Sequence, residues 1–258
     1  MDIILLGTLA SLGAGLMTAV GALPVVFGRD VSIRTKDTML GFAAGVMLAA
    51  SFFSLIIPAL DVAEVMHDSR TIAAGVTVLG ILLGVVVVWV INEWAPHEHF
   101  FLGREGGSDL ASLRRIWLFV IAITIHNFPE GLAVGVGFGG GNVQNGMTLA
   151  VGIGLQNLPE GLAVAVSLAG EGYSRRHAWA IAALTGLVEP LGGLIGVGAV
   201  TLAQPLLPWG LAFAAGAMIF VISHEIIPET HRRGFQNQAT AGLTAGLLIM
   251  LFLDVTLS

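Results

Sequence analysis

Long apolar stretches separated by short polar segments dominate this chain. A bilayer core of about 30 Å requires about 20 residues of α-helix, and eight stretches of the 258 residues reach that length. The predicted spans lie near residues 3–27, 37–60, 71–92, 114–137, 146–169, 177–203, 209–230 and 238–256. Stretches such as 81–91 are apolar on every side, unlike the alternating strands of a membrane β-barrel. The pattern predicts an all-α integral membrane protein, with eight transmembrane helices in one compact bundle and a single transmembrane domain over residues 1–258.

Composition supports a membrane protein. Hydrophobic residues make up 55% of the chain and charged residues 11%, whereas a soluble domain carries about 25% charge. Cysteine is absent, which excludes disulfides and thiolate metal sites. The net charge of −6 comes without a basic run, so we expect the lipid bilayer as a partner and no nucleic acid. The first apolar stretch extends to Phe27, too long for a cleaved signal peptide, and is interpreted as the first span.

The basic residues predict the orientation of the bundle. Ten of the eleven Lys and Arg residues fall in or next to loops on one side, and Arg70 falls on the other. Because cytoplasmic loops carry an excess of Lys and Arg, we expect both termini to lie outside the cytoplasm. An even number of spans agrees with that orientation.

Glycines at four-residue spacing recur within the spans. Small residues at positions i and i+4 let helix backbones approach closely in lipid. We therefore interpret these pairs as helix-packing positions. The pairs are Gly41/Gly45, Gly80/Gly84, Gly131/Gly135 and Gly192/Gly196.

A polar motif is repeated inside two predicted spans. Span 4 contains His-Asn-Phe-Pro-Glu-Gly at 126–131, and span 5 contains Gln-Asn-Leu-Pro-Glu-Gly at 156–161. Both continue with Leu-Ala-Val, so nine residues recur at a spacing of 30 with two changes. Polar and ionisable residues within a membrane are costly and usually functional. The repeat indicates that the two helices perform the same task twice.

The first, second and fifth residues of each motif share one side of their helix, because at about 100° per residue they fall within an arc of about 100°. These residues are His126, Asn127 and Glu130 in span 4, and Gln156, Asn157 and Glu160 in span 5. Pro129 cannot donate a hydrogen bond to the carbonyl of Ile125, nor Pro159 to that of Leu155. We expect each helix to kink there and to free an oxygen beside the polar residues.

Four carboxylates in the spans lack a basic partner within them. Glu130, Glu160, Glu189 and Glu225 lie in spans that have no Lys or Arg in their interior. Either the acids are protonated, or cations neutralise them, and two divalent ions would balance four carboxylates. A His with carboxylates and amides suits zinc, iron(II), manganese or cadmium more than copper(I). Met47 in span 2, considered alone, is interpreted as a packing residue. By the span limits, we place His224 and Glu225 near the outer end of span 7.

At these residues the chain resembles the Zrt-/Irt-like protein family of metal transporters, usually called ZIP. That family is marked by His-Asn-x-Pro-Glu-Gly in its fourth span and a similar Pro-Glu-Gly element in its fifth, which match 126–131 and 156–161. The resemblance covers the whole chain and is closest to bacterial members with Gln at the first position of the fifth-span motif. It implies transport of divalent metals toward the cytoplasm, above all Zn²⁺ but also Cd²⁺ and Fe²⁺ or Mn²⁺, with no enzymatic activity and no prosthetic cofactor. It also implies location in a bacterial inner membrane and is compatible with a homodimer. Bacterial members of the family are similar to elevator-like carriers, in which a bundle with spans 4 and 5 slides against the rest.

The resemblance further implies a binuclear metal centre between spans 4 and 5. Carried over by position, the first ion takes Met47, His126, Gln156 and Glu160, and the second takes Asn127, Asn157, Glu130 and Glu189, with Glu130 and Glu160 bridging. Asn157 is an Asp in some members, so the second ion here meets one negative charge fewer. His97 and His99, in the predicted cytoplasmic loop, are candidates to receive an emerging ion. His224 and Glu225, in His-Glu-x-x-Pro-Glu at 224–229, extend the resemblance and are further candidate ligands.

Two other functions remain open at the level of the residues. An intramembrane zinc-dependent hydrolase would use His224 and Glu225, but a helical zinc protease motif needs its second His four residues after the first, and position 228 is Pro. A proton-coupled carrier of a non-metal solute would explain the membrane carboxylates. It explains the repeated polar motif less well.

Overall fold

The structure, a computed structural model, describes residues 2–28, 31–94, 109–170, 172–231 and 234–257. Within these ranges the regular elements are all helical, which confirms the predicted all-α class. The α-helices are α1 (Ile3–Val26), α2 (Ile33–Ala49), α3 (Ile57–His67), α4 (Arg70–Trp94), α5 (Asp109–Gly139), α6 (Val143–Gly170), α7 (Arg175–Gly186), α8 (Glu189–Leu202), α9 (Leu207–Val221), α10 (Ile227–Thr230) and α11 (Gln236–Leu257). A short 3₁₀ helix, Gln204–Leu206, precedes α9.

Seven segments of the described residues are long and apolar enough to cross a membrane. They are Ile3–Val26, Ile33–His67, Arg70–Glu93, Val143–Gly170, Arg175–Leu202, Gln204–Thr230 and Gln236–Thr256. The chain is therefore a helical membrane protein. Helix α5, which carries the first polar motif, is a separate helix of 31 residues.

Two of these segments contain a π-helical turn that the sequence pattern did not predict. Residues Ala50–Ile56 form a π turn between α2 and α3, and Ile222–Ile226 form another between α9 and α10. In each, the backbone N–H of the residue that follows the π turn donates to the carbonyl five residues before it. Ile57 donates to Phe52, and Ile227 donates to Ile222. Pro58 and Pro228 follow directly. Each proline sits in the first turn of the next helix, where its missing N–H is tolerated, so the helix continues through it.

The predicted sixth span is interrupted in its middle. Helix α7 ends at Gly186, and α8 begins at Glu189, with Leu187 and Val188 between them. Pro190 occupies the first turn of α8, where a missing backbone donor costs little. The break places Glu189 at the start of a helix inside the segment Arg175–Leu202, and so at mid-depth of the bundle.

The helices pack as two groups. In the first, which we call the motif group, α1 packs against α6, α7 and α8, and α5 packs against α8. In the second, the flanking group, α2 packs against α11, and α4 packs against α3 and α9. The two groups meet mainly where α2 contacts α6 and where α5 contacts α9. Both polar motifs therefore belong to the same group.

The glycine pairs lie at close helix contacts, as predicted. A Cβ at Gly41 or Gly45 would overlap backbone carbonyls of α11, and one at Gly84 would overlap the Phe213 carbonyl of α9. Gly131 likewise lies against the backbone carbonyl of Glu189, and Gly192 against α5. Backbone-to-backbone approach of this kind is open only to residues without a side chain. Within the motif group, it draws α8 against the first polar motif.

Candidate metal site

The described side chains among the eight residues proposed for the binuclear centre are all buried. They are Met47, Asn127, Glu130, Gln156, Asn157, Glu160 and Glu189, each at most 2% exposed. His126 is part of α5, but its side chain lies outside the described ones. Because fully buried carboxylates and amides are rare without partners, the contacts of these groups decide what the cluster does.

A hydrogen bond joins the two repeated motifs. The Nε2 of Gln156, in α6, donates to Oε1 of Glu130, in α5, at 2.6 Å. The side of α5 that carries Glu130 therefore faces the side of α6 that carries Gln156. The prediction that the motifs face a common site is consistent with this contact.

A second hydrogen bond connects the motif of α6 to the broken helix. The Nδ2 of Asn157 donates to Oε1 of Glu189 at 2.7 Å and to the backbone carbonyl of Ala14 at 2.9 Å. Both amide hydrogens are thus used, which fixes the orientation of the side chain. Ser11 donates to the backbone carbonyl of Glu189 at 2.8 Å, which positions the start of α8 against α1.

Helix α1 forms a wall of the site that sequence reasoning did not assign. A Cβ at Gly15 would lie 3.3 Å from Oε1 of Glu189 and would overlap the Gly186 carbonyl. A Cβ at Gly161, the last residue of the second motif, would overlap the carbonyl of Thr18. The available signal was the small-residue run Gly13-Ala14-Gly15 with Ser11 nearby. Because α1 contributes mostly backbone groups to the site, its side chains reveal little.

Several buried oxygens of the cluster have no hydrogen-bond partner among the described residues. They are Asn127 Oδ1, Glu130 Oε2, Gln156 Oε1, Asn157 Oδ1 and Glu189 Oε2. Leaving a buried polar atom unpaired costs about 1–3 kcal/mol, so five in one cluster require an explanation. Carboxylate and amide oxygens are ligands for divalent cations. Nδ2 of Asn127 is the one donor that is also unpaired among these described groups. Because the other unpaired atoms are acceptors, the set fits a cation better than another hydrogen-bond donor.

The three carboxyl groups of the cluster act on one another electrostatically. Glu130 interacts with Glu160 and Glu189, and Glu189 interacts with Glu160. Among the described side chains, no three His, Cys, Asp or Glu residues are grouped so as to hold a metal ion by themselves. A cation here would therefore also need amide oxygens, and the imidazole of His126 is among the side chains that are not described.

Met47 lies in the apolar core, as the packing interpretation suggested. It is 1% exposed, and Ser51 donates to its carbonyl at 2.8 Å. Its helix α2 packs against α6, so it belongs to the surface where the flanking group meets the second motif. Its sulfur has no described contact with the carboxylates.

Two further candidate ligands, His224 and Glu225, lie between α9 and α10. His224 lies in the second π turn, with Nε2 3.3 Å from Nδ2 of Asn92 and its ring stacked on Phe220 at 4.8 Å. Glu225 is its partly exposed neighbour. Asn92 belongs to the last turns of α4, so His224 lies at the end of the bundle where α4 ends. In the predicted orientation this is the cytoplasmic end, so the placement of His224 and Glu225 near the outer end of span 7 does not agree with that orientation. His97 and His99 lie outside the described residues.

A helical membrane bundle with an acidic, amide-lined interior is the class of protein that the fold and this cluster define. The family model described as "ZIP Zinc transporter" matches residues 102–254. The chain belongs to the ZIP family of zinc transporters, which are not enzymes. It is 46% identical to zinc transporter GufA of Myxococcus xanthus over 252 residues, 97% of this chain and 98% of that one.

Two other relatives extend the similarity. The chain is 47% identical to zinc transporter ZIPB of Bordetella bronchiseptica over 240 residues, which cover 93% of this chain and 77% of the relative. It is 35% identical to zinc transporter ZIP11 of Homo sapiens over an alignment of 333 positions, covering 98% of this chain and 96% of the relative. Alignments that cover nearly the whole chain support metal transport. They do not support the hydrolase or the carrier of a non-metal solute.

Proposed function

We propose that this protein carries divalent transition-metal ions, Zn²⁺ first and also Cd²⁺, across the membrane toward the cytoplasm, through a binuclear site between α5 and α6. The observation that supports this most is the set of unpaired buried oxygens on the two hydrogen-bonded motifs. The names of the relatives agree, since GufA, ZIPB and ZIP11 are each called a zinc transporter. Fe²⁺ and Mn²⁺ would suit the same donors.

The proposed ligands divide between two ions. The first ion is held by Met47, His126, Gln156 and Glu160, and the second by Asn127, Asn157 and Glu189 together with Glu130. Glu130 and Glu160 bridge the two ions. The contact between Asn157 and Glu189 supports placing both on one ion, because Oδ1 and Oε2 of the pair remain without partners.

Electrostatics explains how such a site would admit an ion into the membrane. A divalent cation loses most of its hydration on entry, and a low-dielectric interior alone does not compensate for the lost free energy of hydration. Carboxylates already held close together repel one another, and a cation between them removes that repulsion. Neutral amides from Gln156, Asn127 and Asn157 complete the coordination without adding charge. The mixture binds a divalent ion while leaving it free to exchange ligands.

We further infer that α5 is an eighth span. At 1.5 Å per residue, a helix of 31 residues is about 46 Å long, more than a bilayer core requires. It packs along α8, α1 and α6, all of which belong to candidate spans. Eight spans place both termini on the side opposite the basic loops, outside the cytoplasm. The plasma membrane, in a bacterium the inner membrane, is the proposed location, and a homodimer is compatible with this arrangement.

Uptake by reconstituted vesicles tests the proposal. We expect vesicles with the wild-type protein to accumulate zinc and cadmium, and the variants His126→Ala and Glu160→Gln to lose at least tenfold in rate. Asp68→Asn is the matched control, because this exposed residue has a positive φ of 48° that Asn adopts readily. If the folded Glu160→Gln variant transports at the wild-type rate, the site is wrongly assigned. If the wild-type protein binds zinc but does not transport it, the function is wrong.

A further inference from the structure

A cavity of about 300 Å³ lies between the two helix groups, behind the first polar motif. Its walls come from α4 and α9 of the flanking group, and from α5 and the break between α7 and α8 of the motif group. Val87 and Val88 line it on one side, and Phe128 and Pro129 on the other. A cavity of this size is at the lower limit for ligand sites. It is therefore a candidate binding site distinct from the acidic cluster.

The wall of this cavity is apolar. Of its described lining residues, Thr124 has the one polar side chain, and its hydroxyl donates to the carbonyl of Val120 at 2.7 Å. None of the lining residues that the structure describes is charged. An ion or a polar solute would find nothing to replace its hydration there, so the occupant must be apolar.

The cavity opens toward the lipid. Val87 and Ile91 are 39% and 41% exposed on the outer face of α4, whereas Val88 is 4% exposed and Pro129 is buried. The space thus runs from the outer surface of the bundle inward to the motif helix. Val188, also in the wall, lies midway along the segment Arg175–Leu202. At mid-depth of a bilayer, the material facing the protein is hydrocarbon.

We propose that an acyl chain of a membrane phospholipid enters this cavity and binds between the two helix groups. An unfilled apolar space forfeits the dispersion contacts of its walls, and a chain from the neighbouring lipid restores them without crossing a polar region. Because Phe128 and Pro129 lie within the motif between Asn127 and Glu130, the bound chain contacts the back of the helix that carries the acidic cluster.

Photolabelling in vesicles tests this binding site. We would reconstitute the protein in phosphatidylcholine with a diazirine near the end of one acyl chain, irradiate, and map the adducts by peptide mass spectrometry. We expect adducts on residues 124–129 of α5, and loss of most of them in Val87→Trp, which fills the mouth of the cavity. Val86→Trp is the matched control, because Val86 is 40% exposed on the same helix but does not line the cavity. Adducts at Leu82, 53% exposed, report labelling of the open surface in every variant.

The proposal is overturned if Val87→Trp and Val86→Trp label residues 124–129 equally, or if wild-type protein is labelled at Leu82 but not on that segment. Ile91→Trp provides a second filling variant should Val87→Trp fail to fold. The chain has no cysteine, so Val87→Cys supplies a unique thiol. Efficient oxidation to a disulfide-linked dimer would mean that a second copy covers the cavity, and would also overturn the proposal. Metal uptake is not the readout, so this result is independent of the transport function.

Discussion

The Nε2 of Gln156 donates a hydrogen bond to Oε1 of Glu130 at 2.6 Å, across the contact between α6 and α5. The two residues occupy the first position of one motif and the fifth position of the other. An amide at position 156 can donate to one carboxylate while keeping an acceptor oxygen, and that oxygen has no hydrogen-bond partner in the described part of the chain. His in the first motif is replaced by Gln in the second, and this Gln has two functions. Its amide N–H joins the two helices, and its amide oxygen remains available to coordinate a cation.

Exchanging the two side chains tests this contact. Gln156→Glu removes the donor and adds a negative charge, so we expect the free energy of unfolding without metal to fall by about 1–3 kcal/mol. Glu130→Gln combined with Gln156→Glu restores one amide and one carboxylate, and should recover most of that loss. Thermal melting in detergent measures both. A double variant no more stable than Gln156→Glu would show that the hydrogen bond contributes little.

The side chain of Glu189 should lower the stability of the metal-free protein and raise that of the zinc-bound protein. Glu189 is fully buried, and a buried carboxyl group without a cation is costly, so Glu189→Gln should melt at the same or a higher temperature than the wild type when metal is removed with a chelator. Added zinc should stabilise the wild type much more than this variant, because ligands that bind only the folded state stabilise it. A variant that melts lower without metal and keeps the full response to zinc would assign Glu189 a structural role.

Asn157→Asp should strengthen zinc binding at the expense of the metal-free protein. The amide donates to Ala14 and Glu189, and a carboxylate would replace both hydrogen bonds by repulsion while adding one negative charge for the second ion. We expect a lower melting temperature without metal and more zinc bound per protein at equilibrium. Asn142→Asp, an exposed residue before α6 whose Oδ1 accepts from Asn145, is the control, because Asp serves equally well there. Equal zinc binding by both variants would contradict the assignment of Asn157.

Gly161→Ala should disrupt the contact between α1 and α6. The new Cβ would overlap the carbonyl of Thr18, and overpacking of this kind costs about 1–3 kcal/mol. Gly198→Ala, also within a helix, meets no atom within 4 Å and should be neutral or stabilise by about 0.5–1 kcal/mol. The yield of folded protein after extraction and its melting temperature compare the two. Similar behaviour of both variants would show that the close approach is not required.

The orientation can be read from two single cysteines, since the chain has none of its own. Gln144→Cys, at the start of α6, should react with a membrane-impermeant maleimide in intact cells. Gln236→Cys, at the start of α11, should react only after the cells are permeabilised. Both native side chains are exposed. The reverse pattern would place the termini in the cytoplasm, and reaction of both from one side would contradict eight spans.

The sequence predicted the features that depend on side-chain spacing. Residues at positions i, i+1 and i+4 share a side of any helix, so Gln156 and Glu130 could be expected at one site before their contact was seen. Glycine spacing predicted the close contacts of Gly41 and Gly131 for the same reason. The all-helical class followed from the length and uniformity of the apolar stretches.

What the sequence did not predict depends on the backbone. Ala14 contributes its carbonyl to Asn157, and every residue type has a carbonyl, so nothing marks it in the sequence. The break at Leu187–Val188 lies inside a predicted span, directly before Glu189, and hydropathy averaged over a span does not distinguish a continuous helix from two. The contact of His224 with Asn92 was also not predicted, because it depends on how α4 packs beside the segment that carries His224.

The π turn between α2 and α3 affects how this region should be compared with other sequences. A π turn accommodates one more residue than an α-helical turn, so the helix beyond Ile56 is rotated by about 100° relative to an uninterrupted α-helix. A helical wheel drawn over Ile33–His67 would therefore mix two different faces. Because the π turn absorbs one residue, deleting one residue from Ala50–Ile56 would close it to an α-helical turn and leave the side chains of α3 facing their present neighbours. The same deletion within α2 would rotate the residues that follow it by about 100°.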